Sequence, residues 1–86
     1  EVETRNLDNV KEVMSLDQVD WLMLDNFSPD QIRDALLLID KRKITEASGG
    51  INAGNIRAYA ETGVDFISSG SLTQRAGALD LSLKMK

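Results

Sequence analysis

The sequence predicts a partial (β/α) barrel, an α/β chain of consecutive parallel βα units amounting to about half of a closed barrel. Three observations predict it. Extended, mostly apolar stretches recur, each ending in an acidic or small polar residue, and the matching points Glu3, Asp25, Glu46 and Ser68 are spaced by 22, 21 and 22 residues. That period fits a strand, a helix and two short loops. Amphipathic helical patterns fill the intervals, and strands separated by helices pair in parallel through right-handed crossovers.

The first extended stretch is Glu1 to Thr4. An ordinary chain does not open in mid-strand, so the start is expected to be a cut. Asn6 then caps a helix with Leu7, Val10, Val13 and Met14 facing inward. Trp21 to Leu24 follows, apolar without alternation, as expected of a strand covered on both faces, and leads into Asp25-Asn26. Ser28-Pro29-Asp30-Gln31 carries the full signature of a helix start: a serine cap, proline at the first helical position, an acid in the first turn and a capping-box glutamine. Ile32, Ala35, Leu36 and Ile39 form its buried stripe.

A third strand over Lys43 to Ala47 ends in Ser48-Gly49-Gly50. The next helix is expected from about Asn52 to Thr62, with Ala53, Ile56, Tyr59 and Ala60 inward and Gly63 as its stop. Val64 to Ser68 is the fourth strand, followed by Ser69-Gly70-Ser71. Leu79, Leu81, Leu83 and Met85 alternate with polar residues, which predicts a strand with one wet face. Residues 1–78 therefore read as the C-terminal half of a barrel domain, and residues 79–86 as a tail strand returning to another sheet. Half a barrel leaves edge strands and inner faces open, so it requires the missing half or a second copy.

Composition narrows the chemistry. Hydrophobic residues make up 42% of the 86 residues, too many for a disordered chain. There is no histidine and no cysteine, which excludes imidazole catalysis, thiolate chemistry and His- or Cys-ligated zinc from this segment. A cytoplasmic location fits the lack of cysteine. The net charge of −4 argues against a nucleic-acid partner. No apolar run approaches the ~20 residues of a membrane span. An anion would have to be held by backbone N–H groups, helix ends, a metal or basic residues from elsewhere.

In parallel α/β folds, ligands sit at the C-terminal ends of the strands. Glu3 and Asp25 lie there on neighbouring units. Their carboxylates could converge on one cation, and such hard oxygen ligands suit Mg²⁺ bound with substrate phosphates. The alternative is that Asp25 caps a turn and Glu3 is merely exposed, with Glu1 competing for its role. Ser48, Gly49 and Gly50, and then Gly70 one unit later, offer small-residue turns that can bring N–H donors to a phosphate. The alternative there is tight turning alone. Glu46 could point inward, paired with a basic group. Lys41, Arg42 and Arg75 are expected to be solvated, and Met14, Trp21 and Met23 to be core.

Taken in order, Glu-Val-Glu before Asn-Leu, Met-Leu-Asp-Asn, Glu-Ala-Ser-Gly-Gly-Ile, Glu-Thr-Gly-Val-Asp, Ile-Ser-Ser-Gly-Ser-Leu-Thr and Ala-Leu-Asp-Leu-Ser-Leu-Lys span essentially the whole chain. This string resembles the quinolinate phosphoribosyltransferases, the carboxylating nicotinate-nucleotide pyrophosphorylases. The resemblance implies a Mg²⁺-dependent conversion of quinolinate and phosphoribosyl pyrophosphate to nicotinate mononucleotide, pyrophosphate and carbon dioxide in NAD synthesis. It also implies a homodimer or larger assembly, with a second, sandwich-type domain that the tail from Leu79 rejoins. By the same resemblance, Glu3 and Asp25 match the acids at the metal and the ribose–pyrophosphate. Ser48, Gly49, Gly50 and Gly70 match the turns around phosphate.

Two departures stand out. The basic residues that grip quinolinate in the family would precede Glu1, so the segment alone is expected to be inactive. Gln74 stands where many members carry histidine, and it cannot titrate. Two other readings remain: a different phosphate-binding barrel enzyme, or a non-catalytic half-barrel that self-associates.

Overall fold

The computed structural model describes residues 1–70 and 72–77. The expected tail strand over 79–86 lies outside the described residues. Five strands, β1 (Val2–Thr4), β2 (Trp21–Asp25), β3 (Ile44–Ser48), β4 (Phe66–Ser69) and β5 (Leu72–Arg75), form one sheet in sequence order. The first four pair in parallel and the fifth is antiparallel to β4. Three helices, α1 (Leu7–Met14), α2 (Pro29–Ile39) and α3 (Ile56–Ala60), connect the parallel strands. The result is one wall of a barrel.

The helices start where the capping chemistry dictates. Asn6 accepts the N–H of Asn9, and Ser28 and Gln31 exchange both bonds of the capping box. Helix α3 is much shorter than expected, and Ala53 is exposed rather than inward. Instead, the Asn55 side chain accepts the Asn52 N–H and donates to the Gly50 carbonyl, and the Asn52 side chain accepts the Gly54 N–H. Such local side-chain bonds compete with helix formation and delay its start.

The core lies on the helix side of the sheet. Leu22, Leu24, Ala47 and Ile67 point from the strands to meet Val10, Ile32, Ala35, Ile39 and Tyr59. Burying each large side chain of this set contributes roughly 1.5–3 kcal/mol before the entropy of ordering is counted. Two threonines join this buried side with every polar atom bonded. Thr4 donates to the Met23 carbonyl, and Thr45 is held by Asp65, whose carboxylate accepts both its N–H and its hydroxyl.

The other face of the sheet is the barrel's inner face, and it corrects two expectations. Strand β2 is covered on one side only: Leu22 and Leu24 are sealed, whereas Trp21 and Met23 are half-buried. Trp21 stacks on Phe66 with ring centroids 4.8 Å apart, and the Arg75 guanidinium lies 5.3 Å from the Phe66 centroid. Arg75 itself stays exposed, as expected.

The basic stretch after α2 is structural. Asp40 and Lys41 take left-handed conformations, Arg42 donates to the carbonyls of Leu38 and Ile39, and Lys43 donates to those of Leu16 and Val19. These side chains satisfy carbonyls at the end of α2 and in the turn before β2.

Candidate functional site

Register decides which side chains share a level on the inner face. Glu3 pairs with Met23 and Met23 with Glu46, while Asp25 pairs with Ser48. The evenly spaced matching points of the sequence are therefore not level in space. Glu3 and Glu46 lie one pleat below Asp25, and continuing the β1 register brings Arg5 level with Asp25. A pleat of two residues is about 7 Å along a strand.

Asp25 ends β2 at the rim. Its carboxylate accepts the Ser48 hydroxyl at 3.2 Å, so the level neighbour on β3 fixes its orientation. Asn26 follows with φ of 62°, and its N–H donates to the Ser48 carbonyl at 2.8 Å. This draws the chain after β2 against the chain after β3. The approach is so close that only glycine fits at position 49: a Cβ there would lie 2.9 Å from the Asn26 nitrogen and 3.0 Å from Asp25 Oδ1. Gly49 and Gly50 both have positive φ, 85° and 68°. Their N–H groups find no acceptor among the described residues. Successive N–H groups in such a turn form an anion-binding concavity.

Gly70 lies at the same rim, because the hydroxyl of Ser69 beside it donates to the Ile51 carbonyl just beyond Gly50. Its setting differs from that of Gly49. Its φ is 63° and nothing approaches within 4 Å of its missing Cβ, so it serves the tight turn from β4 into β5 and stands in open space. Strand β5 itself escapes sequence reading. All four of its residues are exposed, so no apolar alternation marks it. Gln74 is one of them, opposite Ile67.

Arg5, Asp25, Asn26 and Gly49 line a recess of about 350 Å³ at this rim. Sequence reasoning passes over Arg5, although the alternation of Glu1, Glu3 and Arg5 with Val2 and Thr4 places all three on one face. Arg5 donates to Glu3 Oε1 from both Nε and Nη2, at 3.1 and 2.9 Å.

Deeper on the inner face, Glu46 is buried without a basic partner among the described residues. It accepts the Trp21 indole N–H at 3.0 Å and the Ser68 hydroxyl. Desolvation, a hydrogen bond to Glu46 and repulsion from its charge raise the Glu1 carboxyl above the ordinary range. A larger recess of about 950 Å³ lies at the opposite, N-terminal end of the strands, among Asp20, Lys43 and Asp65. It contains none of the sequence-predicted site residues.

The family model of the quinolinate phosphoribosyl transferase C-terminal domain matches residues 1–84. The chain belongs to this family. A Methanocaldococcus jannaschii protein named as a probable carboxylating nicotinate-nucleotide pyrophosphorylase is 42% identical over 96% of the chain and 31% of its own length. The chloroplastic carboxylating nicotinate-nucleotide pyrophosphorylase of Arabidopsis thaliana is 40% identical over 99% of the chain and 28% of its own length. The crystal structure of the Ehrlichia chaffeensis nicotinate-nucleotide pyrophosphorylase superposes with a TM-score of 0.72 at 39% identity, covering 77% of this chain and 24% of that one. The chain thus spans less than a third of the curated relatives it matches.

Among the described residues no three acidic, His or Cys side chains gather to make a cage. Asp25 lines the recess and Glu3 lies one pleat below it, and one or two carboxylates suffice for Mg²⁺ where substrate oxygens and water complete its shell.

Proposed function

We propose that this chain forms the phosphate-binding rim of a quinolinate phosphoribosyltransferase, which converts quinolinate and phosphoribosyl pyrophosphate to nicotinate mononucleotide, pyrophosphate and carbon dioxide in NAD synthesis. The observation that carries the proposal is the pair of N–H groups at Gly49 and Gly50, without an acceptor among the described residues, beside the oriented carboxylate of Asp25. Cleaving the bond from ribose C1 to pyrophosphate builds positive charge on the sugar and negative charge on the leaving group. The Gly49–Gly50 turn donates to the leaving pyrophosphate without reorganising. Asp25, with Glu3 below it, would hold Mg²⁺, which when bound neutralises that developing charge. Glu3 lies deeper, where a carboxylate faces the sugar and favours its cationic character. Ser48 keeps Asp25 aimed, and Gly70 closes the rim beside the loop.

The basic residues that the family resemblance assigns to quinolinate's carboxylates match no positions of this chain, so the segment alone is expected to show no turnover. A homodimer or larger assembly and a cytoplasmic location belong to the same reading; sedimentation and cell fractionation test them. The decisive experiment fuses the part of the Methanocaldococcus jannaschii relative that precedes the matched region ahead of Glu1. The chimera should release pyrophosphate and carbon dioxide in equal amounts from quinolinate, phosphoribosyl pyrophosphate and Mg²⁺, and its Asp25→Asn version should lose at least about 100-fold in rate. A chimera that binds phosphoribosyl pyrophosphate but consumes no quinolinate would overturn the proposal.

A further inference from the structure

We infer that Arg5 is a positioning residue that exchanges its partner Glu3 for a phosphate of the incoming ligand, releasing Glu3 toward the metal. The inference rests on the proposed function and goes beyond it, since it assigns a cation at the rim and a coupling between two ligands. Three observations support it. Arg5 and Glu3 pair through a single carboxylate oxygen, with both Nε and Nη2 on Oε1, so the geometry is not the two-oxygen fork of a strong Arg–carboxylate pair. The pair is exposed, at 72% and 46% for the two side chains, and exposed ion pairs hold weakly. Breaking it is therefore easy.

The root of the Arg5 side chain is fixed nonetheless. Its backbone N–H donates to Asn9 Oδ1, and Asn9 is itself tied by its own N–H to the Asn6 cap of α1. Only the guanidinium end is free to swing. Arg5 lines the recess with Asp25, Asn26 and Gly49.

Charge decides what the swing achieves. Glu3 and Asp25 carry two negative charges and Arg5 one positive, so the rim alone is net negative. Mg²⁺ turns it net positive with Arg5 present and only neutral without it. A pyrophosphate is therefore attracted to the metal-loaded rim chiefly when Arg5 is there. Conversely, while Arg5 holds Glu3 it competes with the metal for that carboxylate. Removing the guanidinium should strengthen Mg²⁺ binding alone and weaken pyrophosphate binding, two shifts of opposite sign that a purely structural residue would not produce.

Isothermal titration of the chain with Mg²⁺, and then with inorganic pyrophosphate at saturating Mg²⁺, tests this. Arg5→Gln should bind pyrophosphate about tenfold more weakly and Mg²⁺ alone about threefold more tightly. Arg5→Lys should fall between, because lysine restores the charge without the fork. Circular dichroism should be the same for all three proteins. Arg5→Gln binding pyrophosphate as tightly as the parent, or losing Mg²⁺ affinity, would overturn the exchange while leaving the proposed function standing. Failure of the parent chain itself to bind magnesium pyrophosphate would overturn both.

Discussion

Replacing Gly49 with alanine tests the rim most sharply, because the structure supplies both the cost and its control. At φ of 85° an L-residue pays about 1–2 kcal/mol for the left-handed conformation. The new Cβ would lie 2.9 Å from the Asn26 nitrogen, which is backbone and cannot turn aside. Relief requires Asn26 to move off the Ser48 carbonyl, losing a 2.8 Å hydrogen bond worth about 0.5–1.5 kcal/mol. Together these give a loss of about 1.5–3.5 kcal/mol. Gly70→Ala shares the positive φ but meets nothing within 4 Å, so it should cost only the conformational part, about 1–2 kcal/mol. Urea unfolding of the two variants side by side measures the difference. Equal stabilities would refute the close approach of the loops after β2 and β3. A stable Gly49→Ala chain with unaltered pyrophosphate binding would refute the role assigned to that loop.

Two further outcomes follow from local chemistry. Ser28→Ala removes one half of the capping box and should lower stability by about 1 kcal/mol in thermal or urea unfolding, whereas Ser28→Asp should hold it. The Glu1 carboxyl, raised by desolvation and by Glu46, favours its protonated form in the fold, so its stabilising contribution is present at low pH and lost as pH rises through the carboxylate range. Glu1→Gln should accordingly be more stable than the parent at pH 7, with the gap closing below the ordinary glutamate value of about 4.3, as read from urea midpoints at the two pH values.

The fold was legible in the sequence wherever the signal is local. Ser28-Pro29-Asp30-Gln31 specifies a helix start by itself, and Ile32, Ala35 and Ile39 mark its buried face. Strand order followed from the repeat. What stayed hidden depends on contacts that leave no period in the sequence, some local and some remote. The helix around Tyr59 is shortened by asparagine side chains that bond the loop before it. Strand β5 has no buried residue to give it a period. Glu46 is satisfied by an indole and a hydroxyl from neighbouring strands, a combination that no spacing reveals.

The site divides in the same way. Asp25 and Gly49 were recognisable from strand-end position, and the structure brings them into contact. Equal spacing suggested that Glu3 and Asp25 are level, but spacing along the chain includes loops of different length. Hydrogen-bond register, which ignores the loops, sets Glu3 one pleat lower and puts Arg5 in the level position. Arg5, in the midst of an acidic strand pattern, drew no reading from the sequence, and its level emerges only from the register.

Amide chemical-shift mapping during titration with Mg²⁺ and phosphoribosyl pyrophosphate addresses the central claim most directly. The largest shifts should fall on Arg5, Asn26, Gly49, Gly50 and Gly70. Shifts concentrated instead on Lys41 to Thr45 and Gly63, around the larger recess at the far end of the strands, would contradict it.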